Sequence, residues 1–193
     1  MQSIVDSWGK FNNIDNALIL GCAGCSFPRF LSLHYPECKT TGIEISKEFI
    51  DIAKKHFLLD EIAGQFELIH ADAFDFIENN PQSELRDLIY VDIFDSNKLI
   101  DEVFSEQFIN SLSLCTSENS IVIFNLLGKP ESELISFAEK IGSSYDGKYI
   151  WSQQNSTPLG VLVLVKTTSP ENLQKFEKDS EKSNIILKKI ENK

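Results

Sequence analysis

The chain has 193 residues, 42% of them hydrophobic, which is enough for one well-packed core and too little for two ordinary domains. A formal net charge of −11 argues against a nucleic-acid partner, because phosphate binding rests on a basic face that this chain would have to build against its own field; small cations and amines are easier ligands. The first residues lack the basic patch and apolar run of a signal peptide and no apolar stretch reaches bilayer length, so a soluble, cytoplasmic protein with no membrane partner is expected.

In chain order, a short N-terminal segment (1–16) carries Trp8, which either anchors a helix on the core or covers a ligand. Buried-strand patterns then recur at 17–21 (ALILG), 39–45 (KTTGIEI), 66–71 (FELIHA), 88–94 (LIYVDIF) and 120–127 (SIVIFNLL), with helical patterns between them. Ser46 caps a helix with Phe49, Ile50, Ala53 and Phe57 on one face, and Ser105 begins another with Phe108, Ile109 and Leu112. Pro130 suits the first turn of a helix carrying Leu134, Ile135, Ala138 and Ile141 before Gly142 ends it. The phenylalanines 49, 57, 104, 108 and 137 read as core. YIWSQ (149–153) and LGVLVLVK (159–166), separated only by the turn-rich QNSTP, read as an antiparallel edge pair. The expected fold is α/β, a doubly wound, Rossmann-like, mostly parallel seven-stranded sheet with an antiparallel C-terminal strand pair over residues 17–166. Residues 167–193 form a charged helix or tail, in which Ile185, Ile186, Leu187 and Ile190 can dock one last helix.

Cys22 and Cys25, in GCAGCS after the first strand, admit three readings: a redox C-x-x-C, half of a metal site, or a small-residue cofactor loop. Cys38 and Cys115 stand alone, and in a reducing compartment four cysteines imply no disulfide framework. A thioredoxin-like site needs a cis-proline just before a later strand, yet no proline lies between Pro36 and Pro81, and Pro81 precedes QSELR. His34, His56 and His70 are scattered without a second ligand pair, so they read as ordinary buried histidines and no metal is expected. The loop reading fits better: Gly21 makes the sharp turn, and Ala23, Gly24, Cys25 and Ser26 stay small where backbone meets ligand. Glu44 ends the second strand, where a carboxylate can take both hydroxyls of a ribose, and Asp72 follows the third, where an acid and a neighbouring amide can meet an adenine edge.

The pieces LILGCAGCSFPRFL, TGIEIS, HADAFDFI, LIYVDIFD and, more weakly, SEQFINSL followed by SIVIFNLL run in an order that resembles class I S-adenosylmethionine-dependent methyltransferases, and within them the spermidine synthase-like branch, over residues 17–165. The resemblance implies S-adenosylmethionine or its decarboxylated form as cofactor, with Gly21, Ala23 and Gly24 along its methionine end, Glu44 on the ribose, and Asp72 with Ala73 on the adenine. Asp92 and Asp95 close the fourth strand, near where such a sheet opens its ligand crevice. An amine attacking a sulfonium alkyl group must lose a proton, so Asp92 is the candidate base and orienting acid. Asp95 either holds a second positive group of a polyamine or caps the following segment. In the family the corresponding acids accept the proton and bind the amine.

Two departures from the family bear on the reaction. Its aminopropyltransferases carry an aspartate in the glycine loop that binds the donor's free amine, and Gly24 stands there in this chain; a glycine tolerates the carboxylate of intact S-adenosylmethionine, which an aspartate repels. The full enzymes also have an N-terminal β-domain closing the polyamine pocket, a wall the segment 1–16 is too short to supply. The reading is therefore methyl transfer to a small cationic or amine acceptor, with aminopropyl transfer to putrescine as the alternative. A non-catalytic nucleoside-binding protein, completed by a partner or as a homodimer, stands as a third reading. Asn125, at the end of the fifth strand, either faces the substrate or satisfies local backbone groups.

Overall fold

The apolar runs fold as strands because each is short, rich in β-branched residues and bounded by turn chemistry, while the stretches between them place apolar residues at helical spacing. A computed structural model describes residues 1–56, 65–79, 84–95, 98–141, 144–153, 160–183 and 185–190. Helix α1 (Gln2–Gly9) precedes β1 (Asn16–Leu20), α2 (Ser26–His34), β2 (Lys39–Glu44), α3 (Lys47–His56), β3 (Phe66–His70), α4 (Ala73–Asn79) and β4 (Arg86–Val91). A hairpin of β5 (Phe94–Asp95) and β6 (Lys98–Leu99) and a short 3-10 turn lead into α5 (Glu106–Leu114), β7 (Thr116–Asn125) and α6 (Glu131–Lys140). The chain continues through β8 (Gly147–Gln153), β9 (Val161–Lys166), α7 (Pro170–Lys182) and β10 (Ile185–Lys189).

The main sheet has the order β10-β8-β9-β7-β4-β1-β2-β3. Strands β3, β2, β1, β4 and β7 run parallel, and β9, β8 and β10 add antiparallel pairings. One face packs Ile19, Tyr90 and Ile123 against Trp8, Phe30 and Phe176; the other packs Leu18, Val91 and Phe124 against Ile77, Phe108 and Phe137. Ser46 and Ser105 cap α3 and α5 as expected, their hydroxyls accepting from the Phe49 and Phe108 amides at 3.2 Å. Pro130 occupies the N-cap of α6, one position ahead of the expected first turn. Phe57, Gly142 and the 154–158 turn lie outside the described residues.

Where sequence and structure differ, the cause is local. Residues 185–189 form an eighth strand instead of closing a last helix: Ile185 and Leu187 turn inward and Ile186 and Lys188 outward, a period of two that a short apolar cluster hides. The pair β8 and β9 is consequently interior, and β10 takes the edge, where Lys188 and Lys189 pair with Glu131 and Glu177. The three histidines are exposed, not buried, because His34 and His56 end helices and His70 ends the edge strand β3. Phe49 is also exposed, since it projects from the first turn of α3 while Ile50 and Ala53 take the core side.

Trp8 resolves to the anchoring role. It is fully buried, meets Phe176 of α7 edge to face at 5.4 Å between ring centroids, and so ties the N-terminal helix to the C-terminal one. No described helix is long and apolar enough to cross a membrane. Trp8→Ala should lower unfolding free energy by about 3–5 kcal/mol, the cost of emptying an aromatic core site; urea unfolding followed by circular dichroism checks this.

Candidate active site at the carboxyl ends of the strands

The chain leaves β1 toward β2 on one side and returns through β4 on the other, so the strand order reverses between β1 and β4 and a crevice opens beyond their carboxyl ends. Three strand ends are knitted there by backbone hydrogen bonds: the Asp92 amide donates to Leu20 at 2.8 Å and the Gly21 amide to Ile43 at 2.9 Å. Gly21 sits at φ +86°, and a Cβ at that position would collide with the Asp92 carbonyl. The expected turn glycine is thus also the contact that lets β4 end beside the loop.

The loop itself is strained. Ala23 and Cys25 adopt φ +37° and +55°, conformations in which glycine is cheap and other residues are not. Glu44 holds the loop in this shape, one carboxylate oxygen accepting from the Cys22 and Ala23 amides at 3.2 and 2.9 Å and the other from Ser46 at 2.9 Å. With a relative exposure of 8%, the carboxylate takes its hydrogen bonds from backbone donors in place of water. Asp72 caps α4, Oδ1 accepting from the Phe74 and Asp75 amides at 2.8 and 3.2 Å. Its Oδ2 accepts no hydrogen bond from the described residues.

A cavity of about 620 Å³ is walled by Gly21, Ala23, Glu44, Asp72, Ala73 and Asp92, which brings together most of the residues named from sequence. Gly24 is not part of this wall. The backbone of Asp95 lies in β5, and its side chain is outside the described residues. Sequence reasoning missed the apolar part of the wall: Ile45, Phe49, Ile93, Phe94 and Ile100. Ile45 and Phe49 flank the Ser46 cap and are 65% and 53% exposed, unusual for large apolar side chains next to a buried acid.

A second cavity of about 460 Å³ lies on the α1 and α2 side and shares Gly21 and Asp92 with the first. Cys22, Ser26, Phe27, Tyr90 and Trp151 contribute to its wall. Tyr90 stacks on Phe27 at 4.3 Å, and its buried phenol, beside the Asp92 charge, is held well above the ordinary tyrosine range. Asp92 stands between the two cavities. Asn125 Nδ2 donates to its Oδ1 at 2.8 Å, and the Tyr90 hydroxyl donates to Oδ2 at 3.3 Å. Burial raises the Asp92 pKa above the usual carboxylate value, while these two hydrogen bonds pull it down without cancelling the rise. Asn125 therefore orients Asp92, a role that neither sequence alternative named, and Tyr90 was missed because a tyrosine inside LIYV reads as core.

Chemically, the first cavity offers carboxylates at Glu44, Asp72 and Asp92 together with an apolar wall. The second offers aromatic walls around one described carboxylate that is short of solvent, a setting that favours a positive or proton-releasing group.

Comparison with known proteins bears on the family and the fold. The model of the spermine/spermidine synthase domain matches residues 10–155. A polyamine aminopropyltransferase of Neisseria meningitidis serogroup A is 25% identical over 164 residues, covering 84% of this chain and 61% of the relative. The chain thus spans about three-fifths of the length of that relative. A probable spermidine synthase from Corynebacterium glutamicum superposes with a TM-score of 0.75 at 12% identity, over 100% of this chain and 75% of the other. Human methyltransferase-like protein 13, solved in complex with SAH, gives a TM-score of 0.72 at 16% identity, over 94% and 90% of the two chains. These likenesses establish a Rossmann-like methyltransferase fold, and the family match over residues 10–155 establishes that the chain belongs to the spermine/spermidine synthase domain family.

Proposed function

We propose that this protein transfers an aminopropyl group from decarboxylated S-adenosylmethionine to a small amine, with Asp92 as the residue that orients the acceptor and takes its proton. The observation that carries the reading is the position of Asp92: one desolvated carboxylate facing both cavities, held from behind by Asn125 and Tyr90. The relative named as a polyamine aminopropyltransferase supports the aminopropyl group over the methyl group expected from sequence.

The residues of the first cavity suit an adenosine. Glu44 retains one acceptor site, on Oε1, beyond the three used by backbone amides and is placed for a ribose hydroxyl, Ile45 and Phe49 offer apolar faces for a base, and Asp72 keeps Oδ2 for an exocyclic amine. Gly21, Ala23 and Ala73 keep the wall low where the donor passes. The donor, when bound, supplies a carbon on a positively charged sulfur, and attack by the amine forms the C–N bond as the C–S electron pair leaves with sulfur. Asp92 does the rest of the work required of the protein. Its carboxylate attracts the cationic acceptor, orients the nitrogen lone pair once a proton is shed, and accepts that proton more readily because burial has raised its pKa. Asp95 is proposed as a second contact for a diamine.

Methyl transfer is kept as a second reading on one observation: Gly24 places no acid where the family's aminopropyltransferases bind the donor's amine. The two donors separate the readings. Calorimetric titration with decarboxylated and with intact S-adenosylmethionine should show tighter binding of the decarboxylated form, and the reverse order would return the assignment to methyl transfer. Glu44→Ala should weaken either donor roughly tenfold or more, the loss of charge-assisted hydrogen bonds; unchanged affinity would remove Glu44 from the donor site.

Asp92→Asn should reduce aminopropyl transfer to putrescine by about 10²–10⁴-fold while leaving donor affinity and the thermal midpoint undiminished, because the amide relieves a buried charge. Product formation by chromatography, together with a melting curve, reads both. The pH profile tests the same carboxylate. Transfer needs Asp92 ionised, so the rate rises with pH through its raised pKa; Asn125→Leu deletes a hydrogen bond that favours the ionised form, and the acidic limb should move to higher pH.

A further inference from the structure

The C-x-x-C of the loop is not used by this mechanism, yet a turn brings its two cysteines together. The Cys25 amide donates to the Cys22 carbonyl at 2.7 Å, closing a turn that brings the two Cα atoms within about 7 Å, a span that a disulfide can bridge. Cys25 accepts a left-handed backbone at φ +55° to put its thiol there. Cys22 borders the second cavity, which gives a small molecule a path to a sulfur that is otherwise buried. The nearness of Cys22 lowers the Cys25 pKa against the effect of burial, and the nearness of Cys25, burial and the Glu44 charge raise that of Cys22. Cys38 and Cys115, by contrast, are pushed up to about 11 by burial.

We propose that Cys22 and Cys25 are a reversible oxidation site, at which a peroxide closes a disulfide that reshapes the loop held by Glu44 and weakens nucleoside binding. The effect on binding rests on the donor site proposed above; the bond itself does not. In the first step one thiolate of the pair attacks a peroxide oxygen, the O–O bond breaks, and hydroxide leaves to take up a proton as water. The other sulfur then attacks the resulting sulfenic sulfur, the S–O bond breaks, and a second water departs with the proton of that second thiol. Two thiols have lost two electrons, and one hydrogen peroxide has become two waters.

The loop cannot form this bond and stay as it is. Cys22 Sγ lies 3.9 Å from the Ile19 carbonyl and over Gly42, where a Cβ would strike it. Drawing that sulfur toward Cys25 pulls on the segment whose Cys22 and Ala23 amides bind Glu44. The carboxylate then loses the donors that hold it in the cavity wall.

The test treats the reduced full chain with hydrogen peroxide, maps the bond by mass spectrometry of the 22–25 peptide, and titrates 5′-methylthioadenosine, the portion common to both donors, by calorimetry. The expected result is loss of two hydrogens at Cys22 and Cys25 and a drop in affinity of roughly fivefold or more, restored by dithiothreitol. A Cys38→Ser, Cys115→Ser variant should retain this response, and a Cys22→Ser, Cys25→Ser variant should show no peroxide response whatever its starting affinity. Cysteines 22 and 25 remaining reduced or going directly to higher acids would overturn the proposal, as would a disulfide that leaves affinity unchanged. If the reduced chain does not bind methylthioadenosine, the donor reading fails and the coupling falls with it; the mass measurement still decides whether the pair is an oxidation site.

Discussion

The contact between Gly21 and the Asp92 carbonyl is the constraint on which the site depends. Parallel strands β1 and β4 are neighbours, and their ends converge only because the residue leaving β1 has no side chain and turns with a positive φ. From that contact follow the direction of the loop, the placing of Asp92, and the division of the crevice into two cavities that share these two residues. A larger residue would have to push β4 away from β1 or turn the loop elsewhere, and either change separates the candidate base from the cavity that it must face.

Glu44 and Asp72 show how acidic groups can serve structure and ligand together. Each uses lone pairs to satisfy backbone amides that the chain leaves unpaired, at the loop in one case and at the start of α4 in the other. The amides offset the desolvation of the carboxylate, and the carboxylate fixes otherwise strained backbone. Loop shape and the chemistry of the cavity wall are therefore coupled through one side chain, so a substitution at Glu44 alters both. The structural reading of these acids, as cap and brace, complements the functional one.

Much of this was legible in the sequence because it depends on local pattern. The five parallel strands announce themselves as apolar runs, the serine caps precede amphipathic helices, and small residues followed at the next strand ends by Glu44 and Asp72 mark a ligand crevice. What stayed hidden depends on pairing across the sheet. Strand β10 is too short for its period to be told from a helix turn until β8 offers it a partner. Tyr90 reads as a core residue because the run around it is buried, and only its phenol reaches Asp92. Asn125 could not be given its role because the contact joins residues 33 positions apart, brought together by the pairing of β4 with β7. Phe49 was misassigned because helical periodicity gives a face but not how far the first turn overhangs the sheet.

The electrostatics of Asp92 tie these elements to one another. Burial alone would protonate this acid more readily and reduce its attraction for a cation; full hydrogen bonding alone would hold it as a weak base. Asn125 and Tyr90 act against burial without overcoming it, leaving a carboxylate that is oriented and more basic than an exposed one. The net charge of −11 adds a field that favours a positive acceptor in the same crevice. In the proposed reaction a cation entering beside Asp92 would regain for the carboxylate part of the stabilisation that burial removed, and the proton given up would pass to a group already raised to receive it. Binding and proton acceptance in that reaction would thus draw on the same desolvation, at a carboxylate that belongs to the walls of both cavities.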